Sequence, residues 1–350
     1  MSKLLSLLPP TANFKTVEIL EKIIAVNQVL SLLDKEIVTI PNYKLLLEPL
    51  TAREAVASSE IENIYTTTLE LLQAELMETT TLPSSQKEVL NYKKALLIGY
   101  QDLINEGKLD LSNLINIHTG VVPNKIGLRK RPGTVIGNRL GEVIYRPPQS
   151  YQEILGYTDN LFEFINSEVD PLLKIIISHY QFEAIHPFYD GNGRVGRILM
   201  SLMLCQEKKL QYPVLYVSGY ILKNKATYYE LFREIQTKNN WQDWIHFHLN
   251  GIKTQAEETL LRIQEINKIR LDFVTHLKTL IYNKKLDNNL QEYFFARAFY
   301  TQTNMAKILQ INRNTAKKYL EILYQAKLLT TRKAGKELLY FIPEFLESLS

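Results

Sequence analysis

Apolar positions recur along most of this chain at intervals of three and four, the period of helices packed by one face. Residues 171–185 carry Leu172, Leu173, Ile175, Ile176, Ile177, Phe182 and Ile185 with no Pro or Gly after Pro171, which predicts a mostly buried helix. Pro187 disfavours the α region at the residue before it, so this helix is expected to end near His186 and present it at a loop edge. Further helical patterns run from 55 to 64, with Val56, Ile61 and Ile64 inward, and from 194 to 205 through Ile198-Leu199-Met200. A long amphipathic pattern covers 260–281, while Trp241, Trp244 and Phe247 read as packing residues. Strand-like runs are few: Ile37-Val38-Thr39-Ile40, the stretches 131–136 and 142–145 around a Gly/Asn loop, and the far C-terminus. The expected fold class is mainly α, a helical core with one β-hairpin and a small C-terminal unit. The polar stretch 282–289 breaks the pattern and marks the boundary before that unit.

Composition narrows the setting. The 350 residues are 45% hydrophobic, ordinary for a globular chain. No run approaches the ~20 apolar residues of a membrane span, and residues 1–10 are too short an apolar core for a signal peptide. The single cysteine, Cys205, cannot form an internal disulfide, which fits a reducing cytoplasm; at the end of an apolar helical run it reads as a small buried hydrophobe. The formal net charge is +4, and residues 291–350 hold 9 Lys and Arg against 5 Asp and Glu, so the whole excess lies in that tail.

The densest chemistry is His186-Pro-Phe-Tyr-Asp190-Gly191-Asn192-Gly193-Arg194-Val-Gly-Arg197. Asp190-Gly191-Asn192-Gly193 is turn chemistry that lets backbone approach a ligand closely. It opens onto a helix N-terminus, where free N–H groups and the dipole favour an anion. Arg194 and Arg197 are neighbours on the first turns of that helix, a poor place for cations unless an anion such as phosphate balances them. Asp190 alone suits Mg²⁺, which commonly takes one or two carboxylates plus phosphate oxygens and water. His186 titrates near neutrality and suits proton abstraction.

This segment resembles the signature of the Fic family, His-x-Phe-x-(Asp/Glu)-Gly-Asn-Gly-Arg-x-x-Arg, at every specified position. The resemblance implies transfer of AMP from ATP to a Ser, Thr or Tyr hydroxyl of a protein, auto-modification included. It implies His186 as general base and Asp190 as the residue holding Mg²⁺ against the α- and β-phosphates. Gly191-Asn192-Gly193 would be the anion hole, with Arg194 on the phosphates and Arg197 toward the γ-phosphate. Ser58, Glu62 and Asn63 are similar to the family's inhibitory helix, (Ser/Thr)-x-x-x-Glu-(Gly/Asn). That likeness implies a Glu62–Arg197 pair in the place of the γ-phosphate. The hairpin near 134–145 looks like the family's flap, which clamps a target's main chain by strand addition. Residues 216–229 also resemble the family, giving Tyr228 or Tyr229 as a purine-side contact, against a plain core role for either. His118 and His179 read as core or surface histidines, and His246 and His248 are too poorly matched in direction for a metal pair.

Residues 303–320 look like two short helices around an Ile-Asn-Arg turn, and 328–341 like a wing, so the tail resembles a winged helix. Arg313, Lys317 and Lys318 would lie on its recognition helix and Arg332, Lys333 and Lys336 on the wing, contacting DNA or protein. The expected organisation is then a helical N-terminal region with the inhibitory helix at 1–105, a Fic core with flap at 106–281, and a winged helix-turn-helix at 290–350. Relatives in the family often dimerise, so a homodimer is a further expectation. The alternatives are a DNA-binding regulator with the core as nucleotide sensor, a deAMPylase, and a transferase of another phosphate-containing group.

Overall fold

The computed structural model describes residues 5–40, 44–77, 82–125, 127–137, 143–281, 287–334 and 337–349. Its first helix, α1 (Val17–Val38), starts where the Thr16 side chain accepts from the Ile19 amide, and buries Ile19, Ile23, Val26, Leu30, Leu33 and Ile37 as one stripe. The strand-like Ile37-Val38-Thr39-Ile40 is the end of this helix. Ile37 completes the buried stripe, and burial of such a side chain, worth about 1.5–3 kcal/mol, outweighs a β-branched preference of a few tenths.

Helices α2 (Lys44–Ile61), α3 (Thr68–Met77), α4 (Ser84–Glu106) and α5 (Leu111–Val121) follow. A two-stranded antiparallel hairpin comes next, β1 (Ile136–Gly137) with β2 (Val143–Tyr145), Ile136 opposite Tyr145. The expected hairpin ran longer; its tip, 138–142, lies outside the described residues. Then come α6 (Tyr151–Ile165), α7 (Pro171–Ile185), α8 (Asn192–Gln206), α9 (Ser218–Lys223), α10 (Lys225–Lys238) and α11 (Trp241–Leu280). Asp170 caps α7 through the Leu172 and Leu173 amides, and Pro171 occupies the first position, where it loses no hydrogen bond. Every residue of α7 from Leu172 to Ile185 is buried, so α7 and α8 form the centre, with α6, α5, α4, α2 and α11 packed around the pair.

The pattern at 260–281 is the second half of α11, a 40-residue helix against whose first half α1 lies. Gly251 sits inside it because a Cβ there would come within 2.7 Å of the Tyr220 ring. Beyond α11 are α12 (Asp287–Phe295), α13 (Gln302–Leu309), α14 (Arg313–Gln325), the hairpin β3 (Thr330–Ala334) and β4 (Glu337–Phe341), and α15 (Pro343–Ser348). Gln310 turns α13 into α14 at φ 52°, and α14 leaves Arg313, Lys317 and Lys318 exposed, as β3 leaves Arg332 and Lys333. Lys336 and the linker 282–286 lie outside the described residues. Among the described residues no helix is long and apolar enough to cross a membrane.

Candidate active site

The turn between α7 and α8 is held from inside. His186 adopts φ 48° and ψ 58°, the left-handed region, while its amide still donates to the Phe182 carbonyl at 3.0 Å. That backbone costs a β-carbon residue about 1–2 kcal/mol and persists only when its surroundings impose it. Arg129 imposes it. Its fully buried guanidinium donates Nε to the His186 carbonyl at 2.8 Å and Nη2 to the Ile185 carbonyl at 3.3 Å and to that of Pro148. Its own amide donates to the Pro187 carbonyl at 2.9 Å.

His118 and Asn192 brace the next four residues. The His118 ring stacks on Phe188, centroids 3.8 Å apart, with Nε2 3.1 Å from the Asp190 carbonyl oxygen. Asn192 spans the turn, accepting from the Phe188 amide and donating to the Phe188 carbonyl, both at 2.9 Å. Its side chain is therefore used within the turn. Gly191, at φ 77°, leads into α8.

His186 is half-buried, and its pKa is lowered to about 4, by burial first and the Arg129 charge second. Its ring is thus neutral at physiological pH. Asp190 is about half exposed, 3.0 Å from Lys125 Nζ and 3.6 Å from Arg194. Burial would raise its pKa, but Lys125 and Arg194 prevail and hold it low. Arg194 is buried and also meets Glu88 at 3.2 Å.

Arg197 is the hub of the second half. Its Nε donates to Ser58 Oγ and its Nη2 to the Ser58 carbonyl, each at 2.8 Å, and Nη2 reaches Glu62 Oε1 at 3.0 Å. A Cβ at Gly193 would collide with that same Glu62 oxygen, so the carboxylate lies directly over the first turn of α8. Burial alone would lower the Arg197 pKa; Glu62 and the buried Glu183 raise it instead. Glu183 is itself pushed to about 8 by burial, against the pull of Arg197.

The helix carrying Ser58 ends earlier than its pattern suggested. It stops at Ile61, Asn63 turns left-handed at φ 63°, and Ile64 lies beyond it. Ser58 and Glu62 still share a face because the Glu62 amide continues the turn onto the Ser59 carbonyl. Lys225 on α10 donates to the Ile61 carbonyl, a cation on the negative end of the helix.

Tyr228 faces the aromatic core, its hydroxyl 3.0 Å from His179 Nε2. Tyr229 is half-buried, with its ring edge-on to Tyr228, and its hydroxyl feels the charges of Glu62 and Arg197. The structure thus brings Ser58, Glu62, Gly193 and Arg197 together and sets Asp190 and Arg194 beside them, while Tyr228 and Tyr229 both feel the charges of Glu62 and Arg197. His118, expected as a core or surface histidine, is a buried one, whereas Arg129 and Lys225 carry no sequence signal: no local spacing separates a buried, bridging cation from a solvated one.

As to metal, no group of three acidic, His or Cys side chains stands ready among the described residues. Asp190, a single accessible carboxylate, fits a Mg²⁺ ion that arrives with substrate phosphates.

Residues 20–101 match the family model described as Fic/DOC family N-terminal, and residues 108–204 the one described as Fic/DOC family, together about half of the chain. A probable protein adenylyltransferase of Aquifex aeolicus is 28% identical over 197 residues, covering 54% of this chain and 56% of that protein. The protein adenylyltransferase fic-1 of Caenorhabditis elegans is 33% identical over 61 residues, 16% of this chain and 12% of its own length. The chain spans about half the length, or less, of these curated relatives. The crystal structure of a Fic family protein from Desulfovibrio desulfuricans G20 superposes with a TM-score of 0.60 at 18% identity, over 95% of this chain and 98% of that one. A Fic domain containing signaling protein from Bacteroides thetaiotaomicron superposes with a TM-score of 0.55 at 17% identity, over 68% of this chain. At these identities the likeness shows the fold.

Proposed function

The chain carries the N-terminal and core domains of the Fic/DOC family and belongs to it, and from that premise we propose that it is an autoinhibited protein adenylyltransferase. In the proposed reaction a Ser, Thr or Tyr hydroxyl of a protein attacks the α-phosphorus of ATP. His186, neutral at working pH, takes the hydroxyl proton. The new P–O bond forms as the bond to the β-phosphate oxygen breaks, pyrophosphate leaves, and AMP remains on the protein. The backbone amides opening α8 and the Arg194 guanidinium receive the phosphate charge as it shifts, and they need no rearrangement to do so. Asp190 would hold Mg²⁺, which neutralises phosphate charge when bound. The triphosphate's negative charge would also lift the His186 pKa from about 4 toward the working pH, making it a better base once substrate is present.

The observation that carries the reading is the place of Glu62. Its carboxylate occupies the anion position above Gly193 and holds Arg197, the cation that would otherwise take the γ-phosphate. Arg197 is buried, so it requires an anion at all times, and Glu62 and triphosphate are alternatives. The hairpin of β1 and β2 is the proposed docking edge for the target's main chain. The segment from α12 to α15 is proposed as a winged helix whose exposed Arg313, Lys317, Lys318, Arg332 and Lys333 favour duplex DNA. A gel shift that is absent, or insensitive to salt, removes that last assignment.

Incubation with ATP and Mg²⁺ followed by intact-mass measurement tests the activity. The expected gain is one AMP, larger in Glu62→Gly and absent in His186→Ala. A gain of one phosphate, or none in Glu62→Gly, overturns it.

A further inference from the structure

A cleft opens between α2, α9 and α11. Arg53 enters it from α2 and Arg262 from α11. Arg53 is half-buried, yet it makes no hydrogen bond or ion pair among the described residues. Arg262 donates to the Ser348 carbonyl and has no carboxylate partner within ion-pair distance among them. The Arg53 pKa is lowered to about 10, by burial first and by the Arg262 charge second, against the pull of Glu258, while burial lowers that of Arg262 against Glu265 and Glu258.

The two carboxyl groups in the same wall form no ion pair with either arginine, although Glu258 attracts both at longer range. Glu258 accepts from Gln255 Nε2 at 2.8 Å and meets Lys223 at 3.4 Å. Glu54 accepts from the hydroxyls of Tyr92 and Ser218, and burial pushes its pKa to about 7, so it carries little charge at neutral pH. Two forked cations thus face one space that Thr259 also lines. The fork geometry of the pair matches phosphate oxygens better than a halide or a single carboxylate oxygen.

We propose that this cleft binds a phosphate-bearing anion, which Arg53 and Arg262 grip from opposite sides as a bridge between α2 and α11. The bridge offsets the repulsion that Arg53 feels from Arg262 with two attractions, in a setting where half-burial limits screening. It has a regulatory consequence that rests on the proposed adenylyltransferase reading. Because α2 leads directly into Glu62, an anion tying α2 to α11 favours the arrangement in which Glu62 holds Arg197, and so strengthens inhibition.

Calorimetric titration of the full chain with inorganic phosphate, and in parallel with glycerol phosphate, tests the site at low ionic strength. The expected result is binding that weakens at least tenfold in Arg53→Gln, falls less in Arg53→Lys, and persists in Arg197→Gln. An unchanged melting temperature shows that Arg53→Gln is folded. Tighter inorganic phosphate identifies the free ion as ligand, and tighter glycerol phosphate a phosphorylated metabolite; either supports the site. No binding of either probe, equal binding by Arg53→Gln, or loss in Arg197→Gln alone overturns it. Where binding holds, phosphate should slow labelling by the wild type and leave Glu62→Gly unaffected. Binding without that difference overturns the regulatory link, whereas absence of labelling in every variant speaks against the reaction and not the cleft.

Discussion

Glu62 Oε1 and Arg197 Nη2 meet at 3.0 Å, and the carboxylate that follows α2 lies over Gly193 in the first turn of α8. The carboxylate is about a third exposed and the guanidinium is not, so solvent screens the pair only from one side. A net contribution of about 1–2 kcal/mol is reasonable for such a charged hydrogen bond after that discount. Glu62→Gly is therefore expected to raise AMP labelling roughly five- to thirtyfold. Ser58→Ala, which removes only one of three contacts to Arg197, should raise it less. Initial rates with ATP labelled at the α-phosphate check both; rates equal to wild type would count against the closed state as a brake.

Arg129 fixes the backbone at His186 without facing the anion position. Arg129→Gln is expected to destabilise the fold on the order of 3 kcal/mol, because three buried carbonyls lose a charged donor. It also removes a charge that holds the His186 pKa down, so the acid limb of the activity profile should move to higher pH. Arg129→Lys, which keeps the charge but not the fork, should restore the limb more than the stability. Thermal melts and pH–rate profiles in the Glu62→Gly background separate the two effects.

These two sites differ in how visible they are from sequence. Residues 186–197 announce themselves because turn, helix start and charges are contiguous. Ser58 and Glu62 stand out only through their resemblance to the family's inhibitory helix, their four-residue spacing by itself being that of any helix face. Arg129 lies 57 residues from the carbonyl it grips, in a loop of Gly, Lys and Pro where a cation ordinarily faces water. The helix boundaries at Pro171 and Ile185 follow from Pro chemistry, whereas Ile37 to Ile40 misleads because tertiary burial overrides β-branched propensity. The length of α11 is hidden by Gly251, whose reason is a ring on another helix.

Two buried groups set opposite pH dependences of stability. His186 titrates at about 4 in the fold against 6.5 unfolded, so the unfolded chain binds more protons between those values and stability falls as pH drops through that window. Glu54 titrates at about 7 against 4.5 unfolded, so its favourable contribution is full below 4.5 and disappears as pH rises through 7. Glu54→Gln should therefore melt higher relative to wild type at pH 9 than at pH 5, by about 2–3 kcal/mol when converted to stability. A difference independent of pH would contradict the burial assigned to Glu54.

Asp190→Asn should leave the melting temperature within about a degree, since its contact with Lys125 is a half-exposed ion pair worth ~0–1 kcal/mol. Labelling should instead demand far more Mg²⁺. A titration of initial rate against Mg²⁺ concentration, wild type beside variant, reads this directly.

Under the proposed mechanism, the absent side chain at Gly193 has an evolutionary cost. Any substituent there would evict the inhibitory carboxylate and obstruct the nucleotide alike. Selection therefore has no route at that position to an enzyme that is permanently on. Descendants of this chain can retune their idle rate only by altering the helix that delivers Glu62, which leaves the catalytic turn itself unchanged.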